Sequence, residues 1–194
     1  MESVQAAYIG YLVFFLILSG SVLAVPLLAF DNDMGAAYAA FSVTCHQKLS
    51  RSLCVFSDGE GHWIADCTPQ DGKFITSPSD RTETRVSYDG IVGMKMPVCS
   101  RDIGLYAAML LGGLIYPLAR RLEDDVPPAV FLIIALVPIG IDGGVQVVSE
   151  IGILPIVYES TNAIRLATGA IAGLAAAFYA VPILTTLVSK EKRN

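Results

Sequence analysis

The sequence predicts an all-α integral membrane protein: a four-transmembrane-helix bundle with a disulfide-containing extracytoplasmic insertion of turns and short strands. Hydrophobic residues make up 54% of the 194 residues and charged residues only 16%, which is too apolar for an ordinary soluble domain. The charged residues concentrate in residues 31–102, in residues 120–125 and at the end of the chain. Long apolar runs separate these clusters, and a membrane helix needs about 20 such residues.

The first region, residues 1–49, is predicted to contain transmembrane helix 1 and an interfacial helix. Residues 6–30 carry no charge. This run is longer than the apolar core of a cleaved signal peptide, and no Lys or Arg precedes it, so we expect a retained span. Apolar residues at helical spacing in residues 34–49 then predict a short helix lying at the membrane surface.

The second region, residues 50–98, is predicted to be a folded extracytoplasmic insertion. It is rich in Gly, Asp, Ser, Thr and Pro, which are turn-forming residues. Residues 73–76 and 84–88 are the predicted short strands.

All four cysteines lie in or beside this insertion, as expected for a compartment where disulfides persist. Four cysteines allow three pairings. We favour Cys54–Cys67 because it closes a short loop within the insertion. Cys45 and Cys99 then either pair with each other or remain free as ligands.

The third region, residues 99–194, is predicted to contain transmembrane helices 2–4, in residues 103–119, 126–148 and 166–189. Small residues within the last two spans predict close helix approach. They are Gly140, Gly143, Gly144, Gly169 and Gly173.

Basic residues in the short loops predict the orientation of the chain. Arg120, Arg121, Lys190, Lys192 and Arg193 all flank the same side of a four-span chain, which the positive-inside rule places in the cytoplasm. We therefore expect a cell-membrane protein with both termini cytoplasmic and residues 31–102 extracytoplasmic. The expected partners are membrane lipids and either other membrane subunits or further copies of the chain. A net charge of −5 without a basic stripe argues against nucleic acid.

Polar residues of four segments are expected to meet at the outer ends of the spans. Ionisable groups inside a membrane are costly and indicate function, and Asp142 is such a group. The residues predicted to be catalytic are Asp142, Glu159 and Arg165: the carboxylates as a general base, the arginine as a clamp for an anionic headgroup or oxyanion. Those predicted to bind substrate are Arg101, Gln146 and Asn162. Those predicted to bind a divalent metal such as zinc, which accepts S, N and O ligands, are Cys45, His46, Cys99 and Asp102.

Each residue also has a structural interpretation. Ser160, Thr161 or Asn162 is a suitable N-cap for the last span. Arg165 can pair with Asp142 or with Glu159 as a structural ion pair. Cys45 and His46 diverge on a regular helix, so both can ligate one ion only if the helix ends before them.

Four ordered motifs resemble a family of small prokaryotic multi-pass membrane proteins of unknown function. They are Cys45-His46-Gln47, Cys99-x-Arg101-Asp102, Asp142-Gly143-x-x-Gln146 and Glu159-Ser160-Thr161-Asn162-x-x-Arg165. Many members have a second cysteine at the position of Asp102, which implies a Cys-x-x-Cys pair in those members. This chain lacks that thiol, whereas an Asp in place of a Cys retains a metal ligand.

Two functions from different classes follow. The first is a membrane-embedded hydrolase or transferase that acts on a lipid or lipid-linked substrate at the outer leaflet. Thiol–disulfide exchange between Cys45 and Cys99 is a variant of it. The alternative is a non-catalytic subunit of a larger membrane complex. A transporter using Asp142 and Gln146 ranks last, because the chain has no paired inverted halves.

Overall fold

The computed structural model describes residues 2–45, 47–68, 83–88, 90–122, 125–155 and 158–191. The helices among them are α1 (Glu2–Leu28), α2 (Gly35–Ser42), α3 (Ser100–Ala119), α4 (Ala129–Glu150) and α5 (Asn162–Glu191). Four of them, α1, α3, α4 and α5, are long and apolar enough to cross a membrane. The four predicted spans are therefore present.

The insertion forms one antiparallel sheet that packs beside the helices. Its strands are β1 (Leu53–Ser57), β2 (His62–Asp66), β3 (Arg85–Tyr88) and β4 (Ile91–Lys95), in the order β2-β1-β4-β3. A helical bundle with an insertion that contains short strands and a disulfide is the predicted architecture. The predicted strand in residues 84–88 corresponds to β3, whereas the one in residues 73–76 lies outside the described residues.

A disulfide joins Cys54 on β1 to Cys67 just after β2, as predicted. Both cysteines are fully buried, in a small core with Leu49, Phe56 and Val86. The cross-link closes a loop within this small sheet and adds to the stability that its core provides.

The helix predicted over residues 34–49 is shorter than expected. α2 ends at Ser42, and a single 3-10 turn follows at Leu49–Arg51. Between them Gln47 has a φ of 52°, a left-handed conformation that no helix accommodates. Cys45 therefore lies outside the helix, and the helix ends before this pair, which was the condition for Cys45 and His46 both to bind one ion.

Helices α3 and α5 pack closely enough for their backbones to touch. A Cβ atom on Gly169 would lie 2.1 Å from the Arg101 carbonyl oxygen, and one on Gly173 would lie 2.2 Å from that of Leu105. The small-residue spacing therefore serves close packing as predicted. Gly140 and Gly144 differ, because a Cβ at either position meets nothing within 4 Å. The prediction that these two approach a neighbour is wrong within the described chain.

We expect Gly173→Ala to lower the free energy of unfolding by about 1–3 kcal/mol, because the added methyl forces α3 and α5 apart. Gly140→Ala is the matched control. It lies in an open helical position, where alanine is favoured over glycine by about 0.5–1 kcal/mol. Unfolding in mixed micelles, followed by circular dichroism, compares the two. Equal stabilities would contradict the close α3–α5 contact.

Candidate functional site

Most of the predicted site residues fall into two clusters around the first turn of α3. Cys45, Cys99 and Asp102 form the first, which we call the thiol cluster. The second, the ion-pair network, consists of Arg51, Arg101, Asp142, Gln146, Glu159 and Arg165. Arg101 and Asp102 are consecutive residues of α3, but their side chains point in different directions. Arg101 therefore belongs to the ion-pair network and Asp102 to the thiol cluster.

The thiol cluster brings three ligand atoms together from two segments. Both Sγ atoms and an Asp102 carboxylate oxygen lie within 4.8 Å of one another. The Cys99 Sγ is 3.2 Å from the Asp102 Oδ2. The Cys99 backbone N–H also donates to the Cys45 Sγ at 3.2 Å, and the Gln47 N–H lies 3.5 Å from the same sulfur. Backbone donors aimed at a sulfur favour its thiolate form, which is the form that binds metals.

The two thiols differ in acidity. A hydrogen bond from the Cys99 side chain lowers the pKa of Cys45, and the backbone donors add to this effect. The same contact with Cys45, together with burial, raises the pKa of Cys99. Cys99 has one proton to donate and two acceptors within reach, the Cys45 sulfur and the Asp102 carboxylate. The cluster is therefore rich in acceptors and suits a cation.

Buried hydrogen bonds fix the position of the loop that contains Cys45, which follows α2. The Gln47 side chain donates to the carbonyls of Tyr38, at 2.8 Å, and Pro97, at 2.7 Å. The ammonium of Lys95, which is fully buried, donates to the Gln47 carbonyl at 2.8 Å. These bonds fix the loop to β4 and to α2, so the position of the Cys45 sulfur is set by the fold. His46, a predicted ligand, lies outside the described residues.

Glu159 is the centre of the ion-pair network. Its Oε1 accepts from Arg51 Nε at 2.9 Å, from Gln146 Nε2 at 2.9 Å and from Arg165 Nη2. Arg51 Nη2 donates to the other oxygen at 3.2 Å. Arg165 is 1% exposed, and its Nε and Nη1 make no hydrogen bond among the described residues. Of its two predicted partners, Arg165 therefore pairs with Glu159.

Asp142 forms a separate pair within the network. Its Oδ2 accepts from Arg101, and its Oδ1 accepts from the Tyr158 hydroxyl at 2.9 Å. The Asp142 hydrogen bond raises the pKa of Tyr158, because ionisation of the phenol would place two anions together. The guanidinium of Arg101 lies over Gly143, 3.5 Å from where a Cβ would stand. Asp142 and Gln146 share the inner face of α4, as predicted, but bind different partners.

Asn162 connects α5 to the rest of the fold. Its Oδ1 accepts from the Ser100 hydroxyl at 2.7 Å, and its Nδ2 donates to Asp66 at 2.9 Å. The N-cap is Thr161, whose Oγ1 accepts from the Ile164 N–H at 3.3 Å. Asn162 therefore joins α3, α5 and β2, a contact set that favours a structural role over substrate binding.

The residues missed by sequence reasoning are Arg51 and Tyr158. Both lie in connecting segments whose position relative to the spans depends on tertiary folding. Arg51 follows Cys45 closely, and Tyr158 directly precedes Glu159. Proximity in sequence to a predicted site residue was the one available signal for each.

The thiol cluster fits a divalent ion such as zinc. Two sulfurs and one carboxylate oxygen are ligands that zinc accepts, and tetrahedral ligands of one ion stand about 3.8 Å apart. The 4.8 Å span of the cluster approaches this separation. Three protein ligands leave a fourth position for water or substrate, which is the pattern of catalytic zinc sites.

Both a part of the chain and nearly its whole length are similar to known sequences. Residues 90–179 match the model of a family described as predicted membrane protein (DUF2085). The matched part runs from β4 into α5 and includes Cys99, Asp102 and the network residues of α3, α4 and α5. The chain is also 29% identical over 193 residues to Uncharacterized protein MJ1492 of Methanocaldococcus jannaschii, covering 95% of this chain and 96% of that protein. No solved structure matches.

Proposed function

We propose that the chain, whose residues 90–179 match the model of a family described as predicted membrane protein (DUF2085), is a metal-dependent membrane enzyme. Its reaction would be a hydrolysis or a group transfer on a lipid or lipid-linked substrate. Cys45, Cys99 and Asp102 would hold a divalent metal, zinc by ligand type, at the end of the bundle beside the sheet.

The convergence of three ligand atoms is the observation that carries the proposal. Cys45 and Cys99 are separated by the whole sheet in sequence, yet their sulfurs and the Asp102 oxygen lie within 4.8 Å. When bound, such an ion supplies Lewis acidity and lowers the pKa of a coordinated water. His46 adjoins Cys45 in sequence and is the predicted alternative to Cys45 as a ligand, so one coordination position stays open for water or substrate.

Asp142, Glu159 and Arg165 enter the proposal as positioning residues. Both carboxylates already accept hydrogen bonds at both oxygens. The donors are Arg101 and Tyr158 for Asp142, and Arg51, Gln146 and Arg165 for Glu159. These contacts favour a fixed scaffold over the general-base role predicted from the sequence. Among the described residues, the buried Nε and Nη1 of Arg165 have no acceptor, and these two nitrogens support the predicted contact with an anionic group.

The orientation of the chain forms part of the proposal. The sheet, the start of α3, the end of α4 and the start of α5 are joined by polar contacts, including Arg51 with Glu150 and Glu159. All of them therefore lie at one end of the bundle. The positive-inside rule assigns this end to the outside, with both termini in the cytoplasm.

The test is metal content measured on the purified full chain in detergent, without chelators. We expect close to one zinc ion per chain in the wild type. Because each ligand is needed for tight binding, Cys99→Ser and Asp102→Ala should each lower metal content at least about tenfold. Asp58→Ala, which removes an exposed carboxylate of the insertion, is the matched control and should retain the ion.

Thiol counts and activity complete the test. With metal bound, Cys45 and Cys99 resist a maleimide reagent until a chelator is added. Incubation with membrane lipid extract, followed by mass spectrometry, should show product formation that the chelator abolishes. A metal-free wild type with full activity would overturn the proposal, and a Cys45–Cys99 disulfide would favour thiol–disulfide exchange.

A second candidate is the non-catalytic subunit, which the surface of α4 favours. Its side chains Phe131, Ile133 and Ile134 are each more than 60% exposed, and Gly140 and Gly144 form an open small-residue face. Such a face suits a second copy or another membrane subunit. Isolation of an active monomer without a copurifying protein would count against this candidate.

A further inference from the structure

An apolar cavity lies next to the thiol cluster, between α1, α2 and α3. Its volume is about 440 Å³, within the range of small-molecule sites. Phe14 and Leu18 of α1 and Met109 of α3 supply apolar walls, and Thr44 and Tyr106 supply the polar atoms. Because α1 and α3 are membrane spans, the cavity lies at the depth of lipid chains.

The polar residues of the cavity connect it to the thiol cluster. Tyr106 shares a hydrogen bond with the Thr44 side chain and lies close enough to Asp102, Cys45 and Cys99 to interact with them electrostatically. Tyr106 follows Asp102 by four residues, so both lie on the same face of α3. Thr44 directly precedes Cys45. The cavity and the cluster therefore form one amphipathic site, apolar along the bundle and polar at its end.

We propose that this cavity binds one hydrocarbon chain of a membrane lipid whose polar headgroup lies at Cys45, Cys99 and Asp102. The placement of the headgroup rests on the proposed function, whereas chain binding does not. The side of the cavity formed by Phe14, Ala40 and Thr44 is exposed, so a lipid chain enters laterally from the bilayer. An amphiphilic lipid fits both parts of this site. Its hydrocarbon chain buries apolar surface in the cavity, and its headgroup reaches the ligand atoms of the thiol cluster.

The probe is phosphatidylglycerol with a photoactivatable diazirine in the middle of one acyl chain, incorporated into vesicles with the full chain. After detergent extraction and washing, irradiation and peptide mass spectrometry locate the label. We expect it on the cavity walls, at Leu18 and Met109, in clear excess over the lipid-exposed α4 residues Ile133 and Ile134.

Ala40→Trp fills the cavity from its exposed side. Labelling should fall about tenfold, because the indole displaces about two methylene groups of the chain from apolar contact. The control is Ile17→Trp, at an exposed position of α1 that lies outside the cavity. It should leave labelling unchanged. Leu18→Trp tests the same cavity from α1, should Ala40→Trp unfold the protein.

Three results would overturn the proposal: label spread evenly over α1, α3 and α4; equal effects of Ala40→Trp and Ile17→Trp; or a partner protein cross-linked at Met109 in place of lipid. Metal content of the same preparations separates the two proposals. Retained lipid without metal would leave the cavity assignment standing while the metal enzyme fails. Bound metal with uniform labelling would overturn the cavity assignment alone.

Discussion

Glu159→Ala is expected to lower the free energy of unfolding by about 3–5 kcal/mol, because it strands a buried guanidinium. Arg165 is 1% exposed, and its one acceptor among the described residues is Glu159. Arg51 and Gln146 lose the same acceptor. Removal of the Glu159 carboxylate therefore takes an acceptor from three side chains. Arg165 cannot replace it with water, because it is buried.

Two further variants isolate the buried charge as the cause. Glu150→Ala is the matched control, because Glu150 pairs with Lys48 and Arg51 but its side chain is 41% exposed, and surface pairs contribute about 0–1 kcal/mol. The double variant Glu159→Leu with Arg165→Leu should be more stable than Glu159→Ala, since it removes both charges. Unfolding titrations in mixed micelles give the comparison. Equal losses for Glu150→Ala and Glu159→Ala would show that Arg165 is hydrated.

The spans and the disulfide could be predicted because they depend on local properties of the chain. A run of apolar residues predicts a membrane helix wherever it stands, and Cys54 and Cys67 both lie within the turn-rich insertion, where the bond closes a short loop. The small-residue spacing at Gly169 and Gly173 also predicted a close contact, which α3 supplies. None of these inferences needed the arrangement of the helices around one another.

The division of the site into two clusters could not be predicted, because it depends on helix rotation. Arg101 and Asp102 are neighbours in sequence, and only the packing of α3 against α5 sends Arg101 to Asp142 and leaves Asp102 beside the thiols. The expectation that all polar ends meet in one pocket rests on depth in the membrane alone. Depth follows from topology, whereas the direction of each side chain follows from packing.

The sheet was predicted only in part, for a related reason. β1 and β4 pair across nearly forty residues of insertion, with Cys54 opposite Lys95, and such pairing has no local signal. The short end of α2 was also missed, because residues beyond Ser42 have helical periodicity. Contacts of Gln47 with Tyr38 and Pro97 overcome that tendency.

Cys54→Ala with Cys67→Ala is expected to lower the unfolding free energy of the sheet by about 3 kcal/mol, given the 13-residue separation that the disulfide closes. The physical reason is that the open chain gains conformational entropy which the small core of Leu49, Phe56 and Val86 cannot offset. A reductant should produce the same loss in the wild type and none in the variant. The rate at which a protease cleaves the insertion, measured at increasing denaturant concentrations, reports the stability of this subdomain separately from that of the helices.

The same cross-link tests the orientation of the protein. Disulfides persist outside the cytoplasm and are rare within it, so Cys54 and Cys67 of protein in native membranes should resist alkylation until a reductant is added. Cys45→Ser with Cys99→Ser is the matched control, because it leaves only the disulfide pair to be counted. Reactive thiols at Cys54 and Cys67 in freshly prepared membranes would place the sheet in the cytoplasm. The thiol cluster would then face the cytoplasm as well, since Cys99 begins α3 at the end of the bundle where the sheet lies.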